Sequence, residues 1–254
     1  MKWAALAATA ACGLVLGVGQ ARAGEQKTPV VGLDYHYNHE LKGGKQFHYT
    51  WDDTASSGYS KLGELIRGLG AQTQAVKGPA SEQALAGIDV YVIVDPDTPA
   101  ETTKPHYVQD PEIDAIVEWV KAGGVLVLQG NNKGNAEFKH FNRLANRFGI
   151  HFNEDTRKNS LDRQKLHLRS LPKHPAFAGA HTLYMVAMCT LTAKPPAEEL
   201  YRFDDDTIMA VSRLGKGTVF ALGDPWCYNE YIDHNDNRQA VTSLFRWLLA
   251  QVKR

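Results

Sequence analysis

The chain contains little cysteine: three residues in 254, at positions 12, 189 and 227. That is too few to staple a small disulfide scaffold, and no C-x-x-C or H-E-x-x-H spacing marks a metal centre. An excess of either charge is also missing. The 28 basic and 28 acidic residues balance, which argues against nucleic acid or an anionic membrane surface as partner. No Gly-rich phosphate loop follows any predicted strand, so neither a P-loop nor a dinucleotide fingerprint is present and no cofactor is expected. The tight turn Gly130-Asn131-Asn132-Lys133-Gly134 carries neither Ser nor Cys, which disfavours nucleophilic acyl transfer. After Ala23 no apolar run is long enough to span a bilayer, so no membrane insertion is expected of the mature chain.

The first residues have a charged start (Lys2), an apolar run from Trp3 to Val18, and an Ala21-Arg22-Ala23 ending. These are the parts of a secretory signal, with cleavage expected after Ala23 and the product periplasmic or secreted. Cys12 sits inside the apolar run without a leucine-led box, which speaks against lipidation. Residues 24–254 suffice for a single α/β domain. Cys189 and Cys227 remain in it, either paired or as buried thiols.

Taken in order, strands and helices alternate. Val30–Leu33 reads as a strand, and a long loop with Phe47-His48-Tyr49-Thr50-Trp51-Asp52-Asp53 follows. Tyr59, Leu62, Leu65 and Ile66 recur at helical spacing, with Ser57 as the expected N-cap and Gly68 to Gly70 as the stop. Ala71–Val76 and Asp89–Val94 are the next strands. Pro111 opens a helix with Ile113, Ile116, Val117 and Val120 inward, and Gly123-Gly124 ends it before the strand Val125–Gln129. Phe138, Phe141, Leu144, Ala145 and Phe148 predict a further helix. From about 150 to 201 short alternating runs predict a β-rich insertion. Ile208–Ser212 and Thr218–Leu222 form a hairpin whose Arg213–Gly217 connection suits a turn with a bulge, and a helix with Leu244 and Leu248 inward closes the chain.

This alternation predicts a mainly parallel sheet with helices on both faces, and such sheets collect ligands at the carboxyl ends of their strands. Four strands end in polar or aromatic residues: Asp34-Tyr35-His36, Asp95-Pro96-Asp97, Asn131-Asn132 and Asp224-Pro225-Trp226. The last runs on through Cys227-Tyr228-Asn229-Glu230-Tyr231, more aromatic than a surface turn requires. His36 with His39, Glu137 with His140, and His234 are candidate metal ligands by residue type, but none has a zinc spacing, and no metal is expected.

Leu33-Asp-Tyr-His-Tyr-Asn-His-Glu40, His48-Tyr-Thr-Trp-Asp-Asp53, Ile93-Val-Asp-Pro-Asp-Thr98, Asn135-Ala-Glu-Phe138 and Gly223–Tyr231 carry a resemblance. Together they resemble a domain attached to some bacterial unsaturated rhamnogalacturonyl hydrolases, family 105 glycoside hydrolases. More distantly, the chain is similar to class I glutamine-amidotransferase-like and trehalose-utilisation-like α/β folds. The helical barrel of those hydrolases has no room here, so the resemblance implies only a context of pectin-like or ulvan-like, uronic-acid-containing oligosaccharides.

Two classes of function follow. One is an eliminating enzyme, a polysaccharide lyase or oligosaccharide dehydratase, which needs a base beside the carboxylate, an acid for the leaving oxygen and donors for the developing charge. His48 and Tyr49 are the candidate base and acid, with His140, Asn131 or Asn135 as donors. The other is a non-catalytic sugar-binding module in which Trp51 and Trp226 stack on sugar rings. In either class the expected oligosaccharide contacts come from Asp34, Tyr35, Tyr37 and Asn38 after the first strand, and from Asp52 in the loop beyond it. Asp97 and Glu137 add acceptors, and Asp224, Tyr228, Asn229 and Glu230 come from the last rim segment.

Overall fold

The computed structural model describes Met1 and residues 27–157 and 166–253, so all of the expected signal but Met1 lies outside the described residues. From there β1 (Val30–Asp34) leads into a small ribbon of β2 (Leu41–Lys42) and β3 (Lys45–Gln46), then α1 (Ser60–Gly68), β4 (Gln72–Val76) and the one-turn α2 (Glu82–Leu85). The chain continues through β5 (Val90–Val94), α3 (Asp110–Ala122), β6 (Val125–Gln129) and α4 (Phe138–Ala145). Short strands follow: β7 (Ile150–Phe152), β8 (Leu166–Leu168), β9 (Leu183–Met185), β10 (Leu191–Ala193) and β11 (Ala197–Phe203). The hairpin of β12 (Asp206–Leu214) and β13 (Gly217–Leu222) precedes α5 (Asn237–Gln251).

Five strands run parallel in the order β4, β1, β5, β6, β13. Strand β12 is antiparallel to β13, and β10 and β7 carry the sheet further in antiparallel fashion, with β11 also pairing to β12. The apolar runs of β5 and β6 belong at the centre because both of their faces are covered. Val90, Val92, Val94, Val125 and Val127 pack with Leu62 and Ile66 of α1 and with Leu244, Phe245 and Leu248 of α5. Their alternates, Tyr91, Ile93, Leu126 and Leu128, pack with Ile113, Ile116 and Val120 of α3 and with Phe138, Phe141 and Leu144 of α4. The result is a mixed α/β sandwich whose mostly parallel sheet carries helices on both sides. Each large aliphatic side chain so buried contributes roughly 1.5–3 kcal/mol.

Helix α3 begins as the sequence predicts: Pro111 sits in its first turn, and the Glu112 carboxylate accepts from the Gln109 backbone amide at 2.8 Å. It stops at Gly123, where φ is +126° and a Cβ would lie 2.0 Å from the Lys253 carbonyl oxygen. Two expectations are corrected. Ser57 is not the N-cap of α1; Tyr59 occupies that position without a side-chain bond, and the helix end is closed from elsewhere in the chain. The hairpin connection has no bulge: pairing persists to Leu214 and Gly217, leaving a two-residue turn with Gly215 at φ +59°. The stretch expected to be β-rich, from about 150 to 201, supplies β7 and β10 to the main sheet, while β8 and β9 form a ribbon of their own.

Candidate functional site

Strands β1, β5, β6 and β13 are parallel neighbours, so their carboxyl ends open on one edge of the sheet. Asp95 follows β5 with its backbone in the left-handed region, φ +46°, and its amide donates to the Gln129 carbonyl at 2.9 Å. Its side chain is buried. Oδ2 accepts from Asn131 Nδ2 at 2.9 Å, while Oδ1 has no hydrogen bond among the described residues. Asn38 fixes the same residue from β1 by donating Nδ2 to the Asp95 carbonyl at 2.8 Å. Asp224, at the end of β13, is also buried with an unsatisfied Oδ1, and a backbone hydrogen bond from Trp226 reaches its carboxyl. Burial pushes both carboxyls well above the usual carboxylate range.

The loop after β3 delivers the remaining groups. His48 (φ +57°) and Tyr49 (φ +41°) are consecutive non-glycine residues in the left-handed region, a conformation costing roughly 1–2 kcal/mol each. The Asp53 carboxylate holds the His48 amide at 3.2 Å, and the Ser57 carbonyl holds that of Tyr49 at 2.8 Å. The His48 ring is 31% exposed, and its Nδ1 lies 2.8 Å from Glu40 Oε1, which leaves Nε2 for proton exchange. Tyr49 is buried between Tyr59 and Tyr228, ring centroids 5.4 and 6.0 Å away. Its hydroxyl approaches the Asp95 carboxyl without closing a well-formed bond. Burial first, and the nearby Asp95 second, push the Tyr49 phenol well above its usual range, which keeps the hydroxyl protonated.

Behind these groups the Tyr59 hydroxyl lies 2.7 Å from Gln129 Oε1 and 2.8 Å from the Pro225 carbonyl, and Gln129 Nε2 donates to Cys227 Sγ at 3.4 Å. To one side His106 stacks between His36 and His39, at 4.2 and 4.1 Å. Among the described residues no group of three or more His, Cys, Asp or Glu side chains is arranged to hold a metal ion.

The model of a domain of unknown function, DUF4350, matches residues 52–245. The chain belongs to the DUF4350 family. It is similar in fold to the N-terminal domain of mmIFT52 (TM-score 0.68, 18% identity, 86% of this chain and 96% of that one). The cytoplasmic protein STM3548 from Salmonella typhimurium is similar at TM-score 0.63 and 17% identity over 89% of this chain and 99% of its own. A putative ThuA-like protein from Bacteroides uniformis follows at 0.54 and 14%, covering 91% and 96%. No curated protein matches the sequence. At these identities the structural likeness speaks for the fold alone.

Several residues that this DUF4350 sequence offers as ligand contacts have structural work instead. Trp226 is 1% exposed and lies in the core, so it cannot stack on a sugar. Asn229 closes α1: its Oδ1 accepts from the Lys61 amide at 3.0 Å, and its Nδ2 donates to the Asp53 and Ala55 carbonyls and to Ser60 Oγ. Glu137 is the N-cap of α4, accepting from the His140 amide at 2.9 Å. Its other oxygen lies 3.0 Å from His140 Nδ1, and the His140 ring stacks on Tyr107, so His140 joins that helix end and not the Tyr49–Asp95 cluster. Tyr37 is buried with its hydroxyl donating to Glu112 Oε2 at 2.9 Å. Asp34 accepts from the Tyr37 amide at 2.7 Å and the Tyr91 hydroxyl at 2.8 Å, which folds the rim loop; burial raises it to about 7. Asp97 ties the His39 amide and the Thr102 hydroxyl.

Trp51, Tyr35 and Asp52 form their own group at the β4 edge. Trp51 Nε1 donates to the Gln74 carbonyl, and the Tyr35 hydroxyl accepts from the Trp51 amide and reaches Asp52 Oδ1 at 3.5 Å. Asn135 is exposed and bonded to Asn132, and the Glu230 side chain is exposed while its amide holds the Ser56 carbonyl. Cys189 and Cys227 are free buried thiols; burial pushes Cys227 up to about 12, which removes it as a thiolate nucleophile. The sequence reading brought His48, Tyr49, Asn38, Asn131, Asp224 and Tyr228 to this edge but did not single out Asp95, Glu40, Tyr59 or Gln129. Asp95 and Glu40 stood inside the quoted motifs. Tyr59 was counted as an apolar helix position, and its hydroxyl was the signal overlooked.

Proposed function

We propose that this chain is an exported protein acting by elimination on uronic-acid-containing oligosaccharides, on a class I glutamine-amidotransferase-like variant of the α/β sandwich. The likeness to a ThuA-like protein supports the fold assignment, and the motifs of residues 33–53 and 223–231 support the sugar context. One observation carries the chemistry: an imidazole held by a carboxylate, His48–Glu40, stands next to a buried and protonated Tyr49 on a strained turn over Asp95. His48 Nε2 takes the proton from the carbon beside the uronate carboxylate, the C–H electrons form the double bond, and the C–O bond at the next carbon breaks. Tyr49 protonates the departing oxygen. Asn131 and un-ionised Asp95 donate to the carboxylate as it takes on enolate character. Departure as water makes the protein a dehydratase; departure as a sugar alcohol makes it a lyase.

The test is incubation of the mature protein with pectic and ulvan-like oligosaccharides whose uronates keep the hydrogen on the carbon beside the carboxylate, following product masses. A loss of one water, or chain cleavage, that disappears in His48→Ala is expected. One observation favours a second reading, a non-catalytic sugar-binding module: Tyr49, Asp95 and Asp224 are 9%, 5% and 2% exposed, which leaves little of the cluster open to solvent. Binding without any mass change in the wild-type protein would select it.

A further inference from the structure

Residues 98–105 form a strap that leaves the sheet shortly after Asp95 and is tied down at its two ends. At its start the Asp97 amide donates to the Tyr37 carbonyl at 2.9 Å, and the buried Asp97 carboxylate takes the His39 amide at 3.1 Å and the Thr102 hydroxyl at 2.6 Å. Along its length the hydrogen bonds of Thr98 and Glu101 stay within the strap. At its far end the exposed His106 ring slots between His36, at 4.2 Å and 17°, and His39, at 4.1 Å and 7°, and beyond it Tyr107 stacks on His140. His106 Nδ1 lies 3.0 Å from the His36 carbonyl; a carbonyl only accepts, so Nδ1 holds the proton of the neutral ring and Nε2 is the atom that titrates.

The groups around the stack decide what added protons do to it. From the loop after β1 come Asp34, whose carboxylate accepts the His36 amide at 3.3 Å, Tyr37, whose ring meets His36 edge-on at 5.1 Å, and Glu40, which is engaged by His48. From the strap come Glu101, turned to the Thr98 amide and hydroxyl, and the exposed Lys104. Glu112 of α3 is taken by the Tyr37 hydroxyl and the Gln109 amide, and at the start of α4 Glu137 and His140 hold each other. Asp97 alone among the described residues sets a carboxylate oxygen against a ring of the stack, 3.2 Å from His39 Nδ1. One proton is therefore tolerated on His39. A second is not: charging His106 with either neighbour sets two imidazolium rings face to face, and charging both outer rings leaves His36 half-buried without a facing carboxylate. Burial first, and the two neighbouring histidines second, lower His36 to about 4.

We propose that the His36–His106–His39 stack is an acid-released clasp, which holds the strap of residues 98–105 closed at neutral pH and lets it go when the rings take up protons. It rests on no particular reaction at the candidate site. The sign follows from His36: a ring lowered in the closed form contributes fully to closure above its ordinary value of 6.5 and loses that contribution as pH falls toward about 4. Asp34, Asp97 and Glu101, each raised by burial, act in the opposite direction. All three are kept in the variants below, so differences between variants isolate the stack. Release frees the stretch beyond Asp95 and leaves the sheet as it is.

Amide hydrogen exchange of the whole protein, read by mass spectrometry and corrected for the intrinsic rate, is compared at about pH 7.5 and about pH 4.5, on either side of the ordinary histidine range. In the wild type the protection of residues 98–106 should fall at least about tenfold at the lower pH, the effect of two facing charges partly screened by solvent, while β5 and β6 keep theirs. His106→Phe keeps a ring in the stack that cannot take a proton, so its strap should lose no more than about twofold over the same interval. Should His106→Phe leave the strap unprotected already at the higher pH, His36→Phe replaces it; there one outer ring no longer titrates and the loss should shrink. Equal protection of the wild-type strap at both pH values overturns the proposal. So does a loss shared by β5 and β6, which is global unfolding, or a loss as large in the Phe variant as in the wild type.

Discussion

Replacing Trp226 separates a core role from a ligand role, and the structure gives both a size and a sign. The side chain is 1% exposed and belongs to the cluster that joins β5, β6 and α5, yet its indole Nε1 has no hydrogen-bond partner among the described residues. Trp226→Ala removes the whole ring from a packed interior, a change costing about 3–5 kcal/mol. For a chain of this length that corresponds to a fall in Tm of roughly 6–20 °C. Trp226→Phe keeps most of the apolar ring and deletes the unsatisfied N–H, whose desolvation costs about 1–3 kcal/mol. The relief offsets the lost volume, and the Phe variant should lie within about 1 kcal/mol of wild type. Thermal unfolding followed by circular dichroism reads both. An Ala variant with unchanged Tm and weakened sugar binding would place the ring in the site and refute the core assignment. A Phe variant as unstable as the Ala variant would show that Nε1 has a partner.

Further outcomes are expected. Asn229→Ala should cost about 2–4 kcal/mol, because the buried amide makes four hydrogen bonds and its loss leaves several backbone groups unmet; urea unfolding with a midpoint equal to wild type would contradict this. Tyr49→Phe should retain oligosaccharide binding and lose at least about a hundredfold in kcat, the loss expected for a missing general acid, and unimpaired product formation would rule out the acid role. Asp34 is raised by burial from 3.8 to about 7, so its carboxyl holds a proton in the folded chain that the unfolded chain has released. Its contribution to stability is therefore full below about pH 4 and lost as pH rises to about 7, a change on the order of 4 kcal/mol. His36, lowered to about 4 by burial and its histidine neighbours, has the opposite slope, so the Asp34 effect is read as the difference between wild type and Asp34→Asn at about pH 4.5 and about pH 7.5. Identical pH slopes in the two would disprove it. Intact-mass analysis of periplasmic material should show a chain beginning after Ala23, and one beginning at Met1 would defeat the export proposal.

The parallel sheet was legible because its strands are apolar on both faces and its helices carry one apolar stripe each; Val90–Val94, Val125–Gln129 and Asp110–Ala122 follow from periodicity almost to the residue. The two-residue strands β2 and β3 were not, since Leu41-Lys42 and Lys45-Gln46 are too short to show any period. At the site, residue type identified which segments meet but not which atoms face the ligand. Trp226 and Asn229 lie in the segment richest in polar and aromatic residues, yet burial made one a core ring and a long-range helix closure made the other a clamp. Neither burial nor a contact across 168 positions has a local sequence signature. The left-handed turn at His48-Tyr49 was equally hidden, because both residues favour other backbone regions and are held by Asp53 and Ser57.

The Asn229 clamp also sets an order of events during folding. The loop holding His48 and Tyr49 is pinned at Asp53, Ala55 and Lys61 by a residue more than 160 positions further on, so those contacts form only after β13 has paired with β6 and the segment beyond it has turned back. Closing so long a loop is entropically slow, and contacts of this range form late. A chain still emerging during synthesis, or cut before residue 223, can pair β1, β4, β5 and β6 yet lacks the latch over Tyr49. Assembly of the rim is thus withheld until the final strand is in place.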